Sequence, residues 1–337
     1  MKKICYYITV FLCLFAFSIN TFAIGILYQS LPYEIQEVVS NSFQGYTVKE
    51  TYPMYDVNEN IVAYITNLNP TGYIIYSNDY VIESSHTADY PVTHKKIYYA
   101  GPLQVFEKEN SNFYKHLLSN QLVAKEDMKK ASDVFHAKQA KLEEKTLLAS
   151  SISSNEIRPY TVSEHICPHR PRPYDYNPDG RCGSTALAIT LMYYDDYIDS
   201  HMVPNWIANA DNTGKYFTDL LLPHVDTDGQ PGTSNSELSN GANWYFAYRG
   251  ISNTYHSIQA FNVSFDYYRS LIENDRPIMI AIYSHPTYNN HWIVGYGYYY
   301  QSYGSNVRRM ILANDGWGNS YREINFDYAG SFVLFNL

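Results

Sequence analysis

The stretch of sequence that decides the fold is Arg181-Cys182-Gly183-Ser184, which runs directly into Thr185-Ala186-Leu187-Ala188-Ile189-Thr190-Leu191-Met192-Tyr193-Tyr194. A run of this length with no charged residue predicts a helix that is buried on all sides. Cys182 then stands in the first turn of that helix, where unpaired backbone N–H groups and the positive end of the helix dipole favour an anion. The sequence therefore predicts an activated thiolate at Cys182.

Two later segments offer the partners that such a thiol needs. His291 stands just before an apolar strand candidate, and Asp315 stands just after the next strand candidate. Because a hairpin brings its two outer ends together, a carboxylate at Asp315 would hold the ring of His291, the general base for Cys182. Trp317 would cover the pair and exclude water. The plain alternatives are a structural histidine and a turn aspartate.

Length and composition indicate a folded globular protein with two domains. The chain has 337 residues, of which 45% are hydrophobic and 17% are charged. The net charge of −9 leaves no basic surplus, so nucleic acid is not expected as a partner. The 36 tyrosines favour sheet structure.

The first 23 residues have the pattern of a signal peptide. Lys2 and Lys3 precede a short apolar run over residues 8–16, and Ala23 supplies a small residue at the cleavage position. A retained N-terminal anchor is the alternative. No later segment reaches the apolar length of a membrane span, so we expect a secreted or periplasmic protein without a membrane contact after cleavage.

The mature protein keeps two cysteines, Cys167 and Cys182, because Cys5 and Cys13 lie within the signal peptide. In an exported protein, a disulfide between the two is the alternative to a free nucleophile.

Residues 24–155 are predicted to form a β-rich region with a helical linker. Strand candidates cover residues 60–66 and 72–77, and helical spacing of apolar side chains runs from Ser111 to Leu148. The small polar run from Ala149 to Asn155 predicts a linker between two domains.

Residues 156–337 show helices first and strands later, which predicts an α+β fold. Helices are predicted at Cys182 and over residues 238–248 and 265–274. Strands are predicted over residues 277–283, 291–301 and 307–314, the last two as a hairpin.

Three blocks carry a resemblance to a known family: Cys182–Ala188, His291–Tyr296 and Asn314–Gly318. They resemble the papain-like cysteine peptidases, and in particular the bacterial branch related to double-glycine leader peptidases, whose orienting residue is usually aspartate. The strand candidates at residues 61–64 and 72–77 are similar to the β-rich prodomain of the streptopain-like members. The resemblance implies a papain-like fold of a helical half and an antiparallel sheet, preceded by a small proregion.

By that resemblance Cys182 is the nucleophile, His291 the general base and acid, and Asp315 the orienting group. The family usually places a glutamine about six residues before the cysteine, to bind the oxyanion, but Tyr176 stands there in this chain. Asn177, with an amide on a shorter arm, or the phenol of Tyr176 would have to replace it. Losing such a donor costs about 100-fold in rate.

The implied function is that of a secreted cysteine peptidase made as a zymogen, whose proregion folds over the catalytic cleft. Its expected partners are a peptide or protein substrate and its own proregion, and no cofactor is required. Arg181, beside the cysteine, would depress the thiol pKa or bind an acidic substrate group.

Other kinds of site and function remain open from the sequence. Zinc ligands are offered by His165, Cys167, His169 and Cys182, and the acidic residues of 226–229 begin like a calcium loop. Ser184 is a poor serine nucleophile, because it lacks the strand-to-helix elbow. A non-catalytic extracellular binding protein of the same fold, or an acyl transferase such as a transglutaminase-like enzyme, would carry the same residues.

Overall fold

The computed structural model describes residues 31–78, 80–90, 96–152, 161–177, 181–229, 232–282, 291–303, 306–319 and 321–336. The predicted signal peptide, residues 1–23, and the predicted domain boundary at residue 155 lie outside these ranges. We refer to residues 31–152 as the N-terminal unit and to residues 161–336 as the C-terminal unit.

The described part of the N-terminal unit is rich in strands, with one helix at each end. Its elements are α1 (Tyr33–Ser42), β1 (Thr47–Tyr55), β2 (Ile61–Asn69), β3 (Tyr73–Ser77), β4 (Tyr80–Ser85), β5 (Ile97–Tyr99), β6 (Val105–Lys108), β7 (Phe113–His116), β8 (Leu122–Ala124) and α2 (Lys125–Ile152).

The described part of the C-terminal unit places most of its helices before most of its strands, as predicted. Its elements are β9 (Thr161–Ile166), α3 (Cys182–Tyr197), α4 (Asn205–Ala208), α5 (Lys215–Val225), α6 (Asn235–Tyr248), β10 (His256–Ala260), α7 (Phe265–Ile272), β11 (Ile278–Ile282), β12 (His291–Tyr303), β13 (Asn306–Asn314), β14 (Arg322–Asn325), a 3₁₀ turn (Phe326–Tyr328) and β15 (Ala329–Asn336).

One sheet runs through both units. Its order is β10-β15-β11-β12-β13-β14-β4-β3-β2-β1-β5-β6-β7-β8, and β9 pairs with the second half of β12. The described pairings are antiparallel except for β1 with β5. The α+β class and the antiparallel sheet are confirmed, and the predicted hairpin is β12–β13.

Helix α3 is buried from Cys182 to Tyr194, as its apolar sequence predicts. It packs against α5 and α6 on one side and against β11 and β12 on the other. Gly183 permits the close approach of the loop before α6, because a Cβ at that position would collide with the side chain of Thr233. The packing fixes the first turn of α3 in the interior of the C-terminal unit.

The helix predicted from Ser111 onward is wrong in its first part. Phe113–His116 and Leu122–Ala124 are strands, and the helix begins at Lys125. Phe113 and Leu122, which the predicted helix would place on its apolar face, are 41% and 59% exposed. The side chain of Asn110 accepts hydrogen bonds from the amides of Asn112 and Phe113, and this turn starts a strand with alternating burial instead.

Candidate active site

Cys182 is the first residue of α3, and it is only 3% exposed. The backbone amides of Cys182, Gly183 and Trp292 donate toward its sulfur. Trp292 follows His291 in β12, so the strand that carries the predicted base lies directly against the predicted nucleophile. The indole Nε1 of Trp292 donates to the carbonyl of Thr233 at 2.8 Å, which holds the strand in that position.

The thiol is not the activated anion that the sequence predicts. Burial raises the pKa of Cys182 to about 12, because the sulfur has lost the water that would solvate a thiolate. The surrounding amides lower the pKa, as a helix N-terminus should, but by less than burial raises it. With its sulfur buried in this way, Cys182 is a neutral thiol.

His291 is the first residue of β12 and is only 2% exposed. Its Nε2 lies 2.8 Å from the backbone carbonyl oxygen of Asp315. A carbonyl only accepts, so Nε2 carries the proton and Nδ1 carries the lone pair that a base needs. Burial lowers the pKa of His291 to about 4, so the ring is neutral near pH 7.

Asp315 contacts His291 through its backbone carbonyl and not through its carboxylate, which corrects the expected contact. The carboxylate is fully buried and accepts from Arg322 Nε at 2.9 Å and from the amides of Trp317 and Asn319 at 2.8 and 3.2 Å. These bonds fold the loop after β13 so that the Asp315 carbonyl meets the ring. The carboxylate thus shapes the loop, and the carbonyl contacts the histidine.

Trp317 lies where the sequence predicts. Its ring stacks on His291 with the centroids 4.0 Å apart and the planes 4° from parallel. A second imidazole, His116 of the N-terminal unit, meets the same indole edge to face at 5.2 Å. Sequence reasoning missed His116 because residues 111–148 read as one helix, in which this ring had no reason to reach the C-terminal unit.

Asn177 is the better placed of the two oxyanion candidates. Its side chain is buried, and its Nδ2 has no hydrogen-bond partner among the described residues. A Cβ on Gly316, whose φ is 76°, would lie 3.2 Å from that Nδ2, so the amide sits beside the loop that carries Asp315. Asn177 thus offers a free donor beside the loop that carries Asp315.

Tyr176 and Arg181 instead belong to a surface cluster. The Tyr176 hydroxyl accepts from Arg181 at 3.1 Å and from Lys215 at 3.0 Å. Arg181 Nη1 also donates to Asp219 at 2.6 Å. The guanidinium is therefore committed to a carboxylate and a phenol, which corrects the expectation that it would lower the pKa of the neighbouring thiol.

A further carboxyl group, Asp226, acts on the site and was not singled out as part of it from the sequence. Burial raises its pKa to about 6, and its Oδ1 accepts from Thr233 Oγ1 at 2.7 Å. Its negative charge adds to the rise in the pKa of Cys182. The acidic residues of 226–229 are the available signal in the sequence, but their pattern there is that of the start of a calcium loop.

The cysteines do not form the alternative disulfide. Cys167 and Cys182 are both free, and the Cys167 sulfur faces the carbonyl of Ile272 at 4.0 Å. Burial raises the pKa of Cys167 to about 12 as well. Cys167 is a packed thiol of the core.

The groups considered for zinc are held by separate partners. His165 pairs with Asp275 at 3.6 Å, and His169 stacks on Tyr197 at 4.0 Å. Ser184 donates to the carbonyl of Arg181 at 3.0 Å, as a helical serine does. The residues considered for zinc therefore do not share a common ligand position, and Ser184 is not placed as a nucleophile.

Comparison with known proteins gives one family and one structural likeness. No curated protein sequence matches this chain significantly. The crystal structure of the Pseudomonas avirulence protein AvrPphB is similar at 10% identity over 50% of this chain and 96% of that one, with a TM-score of 0.25. A TM-score this low supports no conclusion about fold or function.

The sequence profile of the Peptidase_C39 like family matches residues 157–333, which is more than half of the chain. The matched region contains Cys182, His291 and Asp315, and it supports a cysteine peptidase of the papain-like superfamily. This chain belongs to the Peptidase_C39 like family.

Proposed function

We propose that the chain is a cysteine peptidase with Cys182 as nucleophile and His291 as general base and acid. One observation carries the proposal: the amide of Trp292, next to His291, donates toward the Cys182 sulfur, while the Asp315 carbonyl leaves Nδ1 of His291 as the free base. Nucleophile and base are thus held on adjoining elements, with the imidazole already in the tautomer that accepts a proton.

The proposed reaction is hydrolysis of a peptide bond through a thioester. The thiol proton moves to Nδ1 of His291 as the sulfur attacks the substrate carbonyl carbon. His291 then gives this proton to the leaving amine, and the C–N bond breaks to leave a thioester on Cys182. Water, deprotonated by His291, attacks the thioester, and the acid product leaves as the thiol regains its proton.

The oxyanion of both steps needs hydrogen-bond donors. The backbone amide of Cys182 is one, and the unpartnered Nδ2 of Asn177 is the second. Asn177 would then replace the glutamine that the papain-like peptidases usually carry. The alternative donor, Tyr176, has its hydroxyl among cations outside the site.

We also propose that the protein is secreted and made in a latent form. The buried, neutral Cys182 and His291 are those of a closed site, and the N-terminal unit reaches it through the contact of His116 with Trp317. The leader-peptidase-like branch and the streptopain-like proregion are part of this proposal and rest on the sequence resemblance. No described helix is long and apolar enough to cross a membrane.

Peptide cleavage by three forms of the protein tests the activity. Once the chain has been cut between α2 and β9, we expect wild type and Cys167→Ala to cleave a peptide library and Cys182→Ala to be inactive, with products identified by mass spectrometry. Binding of peptides without cleavage by any form, after the N-terminal unit has been cut from the chain, would favour the non-catalytic binding protein. New amides formed with an added amine would favour the acyl transferase.

A further inference from the structure

We propose that the N-terminal unit is a permanent part of the folded protein. When the chain is cut between α2 and β9, the N-terminal unit stays bound to the C-terminal unit as a noncovalent second chain. This goes beyond the proposed latency, because processing would then cut the polypeptide without releasing the N-terminal unit from the protein. The argument rests on how the two units are joined.

The first joint is the shared sheet. Strand β14 of the C-terminal unit pairs with β4 of the N-terminal unit, with Glu323 opposite Ser84 and Ile324 opposite Glu83. Side chains extend the pairing, since Asn325 Nδ2 donates to the carbonyl of Val81 at 2.9 Å. Release of the N-terminal unit would make β14 an edge strand, with hydrogen-bonding groups unpaired on the side that now faces β4.

The second joint is a buried polar chain that begins at the active-site loop. Arg322, which holds the Asp315 carboxylate, also donates from Nη1 to the hydroxyl of Tyr73 at 2.6 Å. Tyr73 in turn donates to Glu83, which also accepts from Tyr90 at 2.8 Å. All these side chains are nearly or fully buried. Release would strip a buried guanidinium of the phenol and carboxyl group that complement it.

A third joint lies beside the second. Arg308 of β13 donates to Glu323 at 3.0 Å, to Ser84 at 3.2 Å and to Ser42 of α1 at 2.9 Å. Glu323 also pairs with His86 at 3.1 Å. Polar side chains of the two units therefore form hydrogen bonds and ion pairs with one another at a second place along the same boundary.

The apolar cores also cross the boundary. Met310 of β13 is fully buried in a cluster made otherwise of N-terminal residues, including Ile35, Phe43 and Ile74. The largest apolar cluster is itself shared by the two units, since it joins N-terminal side chains such as Tyr99, Leu103 and Phe135 to the core around α3. Phe135 also stacks on Tyr328 of the C-terminal unit. A boundary with hydrophobic cores and buried charges on both sides is that of an obligate interface.

Cutting the chain at one point tests this association. A site-specific protease sequence is inserted between residues 152 and 161 of the full chain, in a Cys182→Ala background so that self-cleavage cannot interfere. After cleavage, native size-exclusion chromatography at about 1 µM protein should show both fragments eluting together. Separate elution with a folded C-terminal fragment would overturn the proposal. Because the readout is association, its failure leaves the proposed peptidase activity standing, and the reverse also holds.

A matched pair of variants tests whether the buried chain is responsible. Tyr73→Phe removes the hydroxyl between Arg322 and Glu83, and it should speed dissociation of the cut protein about tenfold to hundredfold, since a hydrogen bond to a charged group is lost. Tyr98→Phe is the control, because the Tyr98 hydroxyl bonds to Glu59 within the N-terminal unit at 2.9 Å. Equal dissociation rates for the two variants would show that the hydrogen bonds among Arg322, Tyr73 and Glu83 do not hold the two units together.

Discussion

Two buried imidazoles contact the same indole, and they differ in how many of their ring nitrogens have a hydrogen-bond partner. His291 of the C-terminal unit has Nε2 on the Asp315 carbonyl, and Nδ1 is its unprotonated nitrogen. His116 of the N-terminal unit has Nδ1 on Ser119 and Nε2 on the Leu103 carbonyl, both at 2.7 Å. Burial lowers the pKa of each to about 4. Burial and a low pKa are therefore shared by a structural and a candidate catalytic histidine, and spare hydrogen-bonding capacity separates them.

The largest expected effect is on catalysis. His291→Gln should reduce kcat/KM by about 10⁴-fold, because a general base and acid is lost, whereas His116→Gln should reduce it less than about tenfold. Kinetics on one cleavable peptide measures both, with circular dichroism to confirm folding. Equal losses for the two variants would break the comparison, since His116 would then act on the chemistry and not only on the packing.

The same comparison extends to the two thiols, whose pKa values burial raises alike. At pH 7 a thiol with a pKa of about 12 has roughly 10³-fold less thiolate than an ordinary cysteine, so both Cys182 and Cys167 should alkylate more than about 100-fold more slowly than a free thiol. Peptide mapping after chloroacetamide treatment measures each site. When the site is opened by cutting the chain or by a substrate, labelling of Cys182 should rise and that of Cys167 should not. Rapid labelling of Cys182 in the uncut chain would contradict the closed site.

Acid should destabilise the fold through both imidazoles. Each folded-state pKa of about 4 lies below the ordinary value of 6.5, so the unfolded chain binds more protons between these values. Stability is therefore lost as pH falls from about 6.5 to about 4, by up to about 3 kcal/mol for each ring. Urea unfolding at several pH values should show a shallower pH dependence in both His116→Gln and His291→Gln.

The difference between variant and wild type isolates each ring. Asp226, whose pKa is raised to about 6, contributes with the opposite sign, since the folded state takes up its proton first. This contribution is the same in wild type and variants, so it cancels. A pH dependence unchanged in His116→Gln would show that this ring is charged or exposed in solution.

The sequence predicted the parts of the site that depend on local pattern. The uncharged run after Cys182 predicts a buried helix, and the two apolar strands on either side of residues 304 and 305 form a hairpin whose ends carry His291 and Asp315. These features follow from periodicity and turn chemistry over short distances. Trp317 followed from its place two residues beyond Asp315, which puts it beside the ring.

The sequence did not predict contacts between distant segments. The Asp315 carboxylate turns to Arg322 because that guanidinium is buried against Tyr73 and needs a counter-charge, and nothing local announces this. The raised pKa of Cys182 depends in the same way on what covers the sulfur, which overrides the helix N-terminus. The helical spacing of residues 111–148 gave no sign that His116 lies in a strand and contacts Trp317. Each of these failures concerns burial created by long-range packing.

Asn177 gives the finest test of spare hydrogen-bonding capacity. Asn177→Ala removes a buried donor without a described partner, so it should leave the free energy of unfolding unchanged or raise it slightly. If that donor binds the oxyanion, the same variant should lower kcat about 100-fold with little change in KM. Tyr176→Phe is the control and should change kcat less than about threefold, since its hydroxyl bonds to Arg181 and Lys215. A structural asparagine would give the reverse result, a loss of stability with kcat preserved. An unpartnered hydrogen-bonding atom would then not be enough to identify a catalytic group in this site.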